Sequence, residues 1–153
     1  MAKDWQSDGK LLSELSSQLL QMMSTFPRYL VDADALQHSL ALTRHQLQAL
    51  VLVAEQDLPV TELARRIGIA KPNAAPMLRQ LTQLGYVERF SDPSDGRKVL
   101  IRLTDSGRAL LQKAEAGIAE GLAVKLAGVN ASEARALKSA LSTVNKALQD
   151  AWQ

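Results

Sequence analysis

The chain has 153 residues, 46% of them apolar, which is enough for one domain with a hydrophobic core. It contains no cysteine, which excludes a disulfide framework, thiolate metal sites and thiol-based oxidant sensing. The net charge is only +2, and no apolar run approaches the roughly 18 residues of a membrane span, so a soluble, cytoplasmic protein is expected.

The first predicted element is an amphipathic helix within residues 10–40. Its apolar residues recur every three or four positions, at Leu11, Leu15, Leu19, Met22 and Phe26. Pro27 should kink or end this helix. A weaker helical pattern and a turn then lead to a second stripe, formed by Leu47, Leu50, Val51 and Ala54.

Two short helices separated by a tight turn are predicted next. Residues 60–68 place Leu63, Ala64 and Ile67 on one face, and Gly68 provides the stop. After a turn at residues 69–71, a second helix carries an apolar stripe and ends near Gly85, which can adopt left-handed backbone. The members of that stripe are Ala74, Met77, Leu78 and Leu81.

The hydrophobic period then changes from 3.6 to 2, which predicts two strands at residues 86–90 and 98–103. Between them, residues 92–96 read Asp-Pro-Ser-Asp-Gly and contain three kinds of turn-forming residue. Helix, turn, helix and hairpin in this order are typical of a winged helix-turn-helix, which reads duplex DNA.

Two more helices are predicted after the hairpin. Thr104 can cap a long helix, and Asn130 followed by Glu133 has the pattern of a capping box at the start of a last helix. Gly128 separates the two. The stripes at both ends of the chain exceed what a compact core could cover, so we expect them to pair with a second copy in a two-fold dimer.

Charge is distributed unevenly along the chain. Residues 60–108 contain nine basic and five acidic residues and carry +4, whereas the remainder carries −2. The overall charge is too weak to indicate a nucleic-acid partner, but this distribution concentrates positive potential at the second short helix and the hairpin.

Five motifs in this order and spacing resemble the MarR family of bacterial transcriptional regulators: residues 42–47, 61–64, 81–89, 92–97 and 103–108. The resemblance covers roughly residues 40–110, and the helical flanks fit the family by pattern only. It implies a single domain over residues 1–153, mainly α with a small β-hairpin wing. In it, a winged helix-turn-helix core at 42–103 is flanked by dimerisation helices at 10–40 and 104–152.

The resemblance implies that the partner is double-stranded DNA. A two-fold dimer would place its recognition helices about 34 Å apart, so the operator is expected to be pseudo-palindromic. Asn73 could pair bidentately with adenine, while Lys71 and Arg79 would contact phosphates or guanine. The resemblance places Arg97 in the minor groove with Asp95 holding it by a charged pair, and Lys98 lies beside them.

Simpler interpretations exist for these residues. Arg97 and Lys98 could be a solvated hairpin tip, and Asn73 a capping or turn residue. Pro76 would lie in the second turn of the recognition helix, where it costs up to ~3 kcal/mol or bends the helix. Either DNA binding survives with few base contacts, or the chain is a dimeric helical interaction module with a degenerate recognition helix that acts through a protein partner.

The resemblance also implies a small-molecule effector that releases a repressor from its operator. Candidates near the seam between dimer helices and core are Arg28, Tyr29, His38, Arg44 and His45. Either arginine could bind an aromatic carboxylate, with a histidine as hydrogen-bond donor, although each histidine could be merely structural and Arg44 could pair with a backbone or phosphate group. With two histidines, no cysteine and no phosphate-binding or nucleophile motif, we expect no catalysis, no metal and no cofactor.

Overall fold

The computed structural model describes residues 8–25 and 39–151, with side chains described as far as residue 147. Over these ranges it is mainly helical with one small sheet, as predicted. No helix in them is both long and apolar enough to cross a membrane. In chain order the elements are α1 (Gly9–Thr25), α2 (Arg44–Glu55), β1 (Leu58–Pro59), α3 (Val60–Ile67), α4 (Lys71–Gln83), β2 (Val87–Ser91), β3 (Val99–Leu103), α5 (Asp105–Lys125) and α6 (Ala131–Ala151).

The helix-turn-helix forms as the sequence predicts. Leu63, Ala64 and Ile67 are the buried residues of α3. Gly68 ends this helix in the left-handed region, at φ 78°, and its N–H donates to the carbonyl oxygens of Ala64 and Arg65. The turn to α4 is therefore short and fixed by backbone hydrogen bonds.

The recognition helix, α4, is continuous from Lys71 to Gln83. Its buried residues are the four of the predicted stripe, Ala74, Met77, Leu78 and Leu81. Pro72 occupies the first turn, where a missing N–H costs nothing. Pro76 is exposed and does not end the helix, although it cannot donate a hydrogen bond to the carbonyl oxygen of Pro72.

The wing is an antiparallel hairpin in which Val87 pairs with Leu103 and Ser91 with Val99. On its other side, β3 pairs with β1, so that Leu58 lies opposite Ile101 and the strand order is β1-β3-β2. The sequence did not predict β1, because a strand of two residues has no periodicity of its own and exists through its pairing.

The core lies between α2, α3, α4, the sheet and the first half of α5. The predicted stripe of α2 was partly wrong. Leu50 is buried as predicted, but Val51 and Ala54 are exposed, and α2 buries Gln46, Ala49 and Val53 as well. Residues 49–54 are all apolar, so their period alone could not decide which face turns to β3 and α3.

Strand β3 continues into α5 through one residue, Thr104. Its Oγ1 accepts the N–H of Gly107, as a helix cap does, and donates to the carbonyl oxygen of Gly85 at 2.6 Å. The backbone N–H of Thr104 donates to the carbonyl oxygen of Tyr86. A Cβ on Gly107 would overlap that same carbonyl oxygen and lie 2.6 Å from Leu103 Cδ1. The base of the wing and the start of α5 therefore form one packed unit.

The terminal helices bury none of their described side chains in this single chain. All of α1 is exposed, and so are residues 131–147 of α6. The predicted capping box at the start of α6 is confirmed, since Asn130 accepts the N–H of Glu133 and Glu133 accepts the N–H of Asn130. Large apolar side chains left accessible include Leu11, Leu15, Leu19, Leu137, Leu141 and Val144.

Candidate nucleic-acid interface

The first turn of α4 presents Lys71 and Asn73 to solvent. The residue that precedes this helix, Ala70, has no capping side chain. The backbone N–H of Asn73 donates to the carbonyl oxygen of Ala70 at 2.8 Å, but the side-chain amide of Asn73 bonds to none of the described residues. Asn73 is therefore not a capping residue, and its amide is free to reach a ligand.

The wing tip is a closed turn. Asp92 Oδ1 accepts the N–H and the hydroxyl of Ser94, at 2.8 and 2.6 Å. These bonds, the one from the hydroxyl first, lower the pKa of Asp92 below its ordinary value. Backbone bonds from Asp92 N–H to the Lys98 carbonyl oxygen and from Lys98 N–H to the Asp95 carbonyl oxygen close the loop.

The carboxylate of Asp95 does not form the expected charged pair with the guanidinium of Arg97. Asp95 Oδ2 lies 3.5 Å from Lys98 Nζ, and Oδ1 accepts the backbone N–H of Arg97 at 3.2 Å. The turn brings these two groups, rather than the guanidinium, to the carboxylate. Asp95 thus orders the backbone of the tip and leaves the exposed Arg97 side chain without an acidic partner among the described residues.

Two arginines of α3 are held by one carboxylate. Glu62 contacts Arg65 at 2.7 Å and Arg66 at 2.8 Å. Hydrogen bonds from Arg65 and then Arg66 lower the pKa of Glu62 to about 2. A charge count along the sequence treats these arginines as available cations, whereas the structure shows them already paired.

Four cations of α4 and the wing are exposed and form no ion pair within the described ranges: Lys71, Arg79, Arg89 and Arg97. Arg102, by contrast, lies 2.6 Å from Asp57. The basic residues of segment 60–108 therefore include two groups. The arginines of α3 and Arg102 are paired with carboxylates, whereas four cations on α4 and the wing have no ion pair within the described residues.

The predicted effector residues are only partly within the described residues. Arg44 and His45 lie in the first turn of α2, both exposed, whereas Arg28, Tyr29 and His38 lie outside the described residues. An open cavity of about 410 Å³ lies between the start of α2 and the end of α4, and neither Arg44 nor His45 lines it. Its lining residues are Ala41, Thr43, Gln46, Gln80, Gln83 and Leu84. The sequence did not predict this cavity, because its lining comes from two segments, residues 41–46 and 80–84, that are far apart in the chain.

Comparison by sequence identifies relatives among bacterial regulators. The model of the MarR family matches residues 42–99. A helix-turn-helix transcriptional regulator of Mycobacterium bovis is 31% identical over 135 residues, which cover 88% of this chain and 90% of that protein. The organic hydroperoxide resistance transcriptional regulator of Bacillus subtilis is 32% identical over 110 residues, 71% of this chain and 74% of that one.

Comparison with solved structures shows the same fold in other proteins. A MepR mutant from a multidrug-resistant Staphylococcus aureus isolate has a TM-score of 0.70 at 22% identity, covering 87% of this chain and 96% of that chain. A second S. aureus MepR mutant, bound to an oligodeoxyribonucleotide, has a TM-score of 0.61 at 23% identity, covering 87% and 97%. Sequence and fold together show that the chain belongs to the MarR family: it is a transcriptional regulator with a DNA-binding winged helix-turn-helix, and not an enzyme.

Proposed function

We propose that this protein is a homodimeric repressor of a pseudo-palindromic operator. The observation that supports it best is the set of exposed, unpaired cations on α4 and the wing, at Lys71, Arg79, Arg89 and Arg97 within the described ranges. A cation without an acidic partner can contact a phosphate with no ion pair to break, and it releases the counterions condensed on DNA.

The exposed terminal helices support the dimer. A helix of 17 residues such as α1 is marginal in water unless its apolar face is packed. Apolar residues recur on α1 and again on α6 at Leu137, Leu141 and Val144, all exposed in the single chain. A second copy offers the same faces, so both helices would be covered in one two-fold interface.

In such a dimer the two α4 helices would enter successive major grooves about 34 Å apart. Asn73, whose amide has no partner within the described residues, would read adenine, while Lys71 and Arg79 would contact phosphates. Arg97 would enter the adjacent minor groove, with Asp95 ordering its backbone and Lys98 beside it.

We infer that a small aromatic carboxylate releases the repressor. The cavity between α2 and α4 touches the recognition helix directly, and Arg44 and His45 begin the helix that forms its other wall. Melting curves with salicylate and benzoate test this. We expect a higher melting temperature with acid, lost in Arg28→Ala or Arg44→Ala; no shift with either acid would contradict it.

The alternative, a dimeric helical interaction module with a degenerate recognition helix that acts through a protein partner, is suggested by Pro76. Because α4 is one helix from Lys71 to Gln83 despite Pro76, the structure gives this alternative no support.

Fluorescence anisotropy tests operator binding. The full-length protein is titrated onto duplex from upstream of its own gene, with random duplex as competitor, over a salt series. Arg79→Gln and Arg97→Gln should each reduce the slope of log K against log salt by about 2, one contact in each protomer of the dimer, and Lys113→Gln, exposed on α5, should not change it. Equal, weak binding to operator and random duplex, repeated with fragments selected from the whole genome, would overturn the proposal.

A further inference from the structure

Arg102 occupies the middle strand of the sheet with an acidic residue on each side. On β2 its partner in register is Glu88. On the other side Leu58 pairs with Ile101, so Asp57, just before β1, is the neighbour of Arg102. Asp57 also follows the end of α2 at Glu55 by two residues. One arginine thus connects the wing to the end of a core helix.

The contacts of Arg102 use most of its guanidinium. Nη2 lies 2.6 Å from Asp57 Oδ2, and Nε lies 3.2 Å from both carboxylate oxygens. The guanidinium carbon also lies 4.0 Å from the centroid of the Phe90 ring, on β2. A single exposed ion pair contributes little, but a bidentate pair combined with a cation–π contact fixes an orientation as well as a distance.

The wing beyond this point has little other support. Within the sheet, β1 pairs only with Leu100 and Ile101, so the hairpin from Ser91 to Val99 extends past the core. Arg97 lies five residues from Arg102, about 17 Å along an extended chain. A rotation of about 10° at the base would then move the tip by about 3 Å, enough to break a contact made at hydrogen-bond distance.

We propose that Arg102 is a positioning residue, which fixes the angle of the β2–β3 wing through Asp57, is itself held in place by the Phe90 ring, and contacts no phosphate. This inference rests on the proposed operator binding. Arg102 therefore affects DNA binding by setting the position of Arg97, whereas Arg89 would contact DNA itself. From the sheet register Arg89 lies on the opposite face of the same hairpin, and it has no acidic partner in the described part of the chain.

Operator affinity separates the two roles. We expect Asp57→Asn and Arg102→Gln each to weaken operator binding by about fivefold, and the double variant to be no weaker than either, because both changes break one interaction. The salt slope should stay at the wild-type value, whereas Arg89→Gln should reduce it by about 2, one contact in each protomer. Asp57→Asn removes a negative charge, so electrostatics alone would strengthen its binding.

Hydrogen exchange of the free protein gives a readout that does not depend on DNA. The amides that join β1 to β3, where the wing meets the core, should exchange several-fold faster in Asp57→Asn and Arg102→Gln and at the wild-type rate in Arg89→Gln. Unchanged exchange in both variants, unchanged operator affinity, or a salt slope reduced in Arg102→Gln as in Arg89→Gln would each overturn the inference. If the amides respond but the wild type binds no duplex, operator binding fails while the positioning of the wing stands.

Discussion

Gln46 at the start of α2 and Gln80 on α4 are joined by a hydrogen bond, in which Gln46 Nε2 donates to Gln80 Oε1 at 3.1 Å. Gln46 Oε1 also accepts the N–H of Thr43, which completes a capping box at this end of α2. Gln46 is 6% exposed and is the one buried polar side chain of the described residues. Both ends of its amide are satisfied, and the recognition helix is attached to the cap of α2.

This relationship predicts a graded loss of stability. Gln46→Ala removes half of the capping box and the bond to α4, and should lower the free energy of unfolding by about 1–3 kcal/mol. Gln80→Ala should cost about 1 kcal/mol or less, because water can replace an exposed partner. Gln83→Ala is the control, since Gln83 lines the same cavity without a hydrogen bond to the described residues. Urea unfolding measures all three, and a Gln80→Ala value equal to that of Gln83→Ala would contradict the prediction.

The junction between the wing and α5 predicts that Gly107→Ala is destabilising. The new methyl group would overlap the carbonyl oxygen of Tyr86, so the first turn of α5 must shift, at a cost of about 1–3 kcal/mol. Gly117→Ala, in open space on the same helix, should instead gain about 0.5–1 kcal/mol. Thermal unfolding of the two variants checks this, and a stable Gly107→Ala protein would show that the junction is loosely packed.

The carboxylate of Glu62 predicts a pH dependence. Its pKa in the folded protein, about 2, is below the ordinary 4.5, so its stabilisation is complete above 4.5 and is lost as pH falls towards 2. The melting temperature of Glu62→Gln should therefore be lower than that of the wild type near pH 6, and the difference should shrink by about pH 3. Glu115→Gln, on the exposed side of α5, should show no difference at either pH. A gap that grows on acidification would contradict the assignment.

Pro76 predicts a stabilising substitution. Pro76→Ala restores an N–H that can donate to the carbonyl oxygen of Pro72, in a helix that is already continuous, and should add about 1–2 kcal/mol to the free energy of unfolding. Unfolding in urea measures this gain, and a loss would show that the proline is needed for the helix. Anisotropy on the operator then reports whether the proline also shapes DNA recognition, since an affinity equal to that of the wild type would mean that it does not.

Local signals predicted most of the helix boundaries. Gly68 was expected to end its helix and Gly85 to adopt left-handed backbone, and the two have φ of 78° and 74°. Thr104 and Asn130 were expected to cap helices and do so. These features depend on a few neighbouring residues, so a single sequence contains the information that they require.

Features that depend on distant residues could not be predicted in this way. In the sequence Arg102 is one of the nine basic residues of segment 60–108, and nothing marks it as paired, because its partner Asp57 is 45 residues away in the chain. The Asp95 carboxylate was assigned to the wrong cation, since the turn geometry decides between Lys98 and Arg97. Which cations of α4 and the wing stay unpaired depends on such contacts, and these join residues that are far apart in the chain or held together by a turn.

The single-residue junction at Thr104 also couples the orientation of α5 to that of the wing. A helix of 21 residues is about 30 Å long, so a tilt of about 5° displaces its far end by roughly 2.6 Å. Thr104 is hydrogen-bonded to Gly85 and Tyr86, and Gly107 packs directly on Tyr86, so this helix and the base of the wing are in close contact. A tilt imposed at the far end of the helix would therefore rotate the wing. A change in how two copies meet would thereby alter the distance between their wings without any change inside the helix-turn-helix.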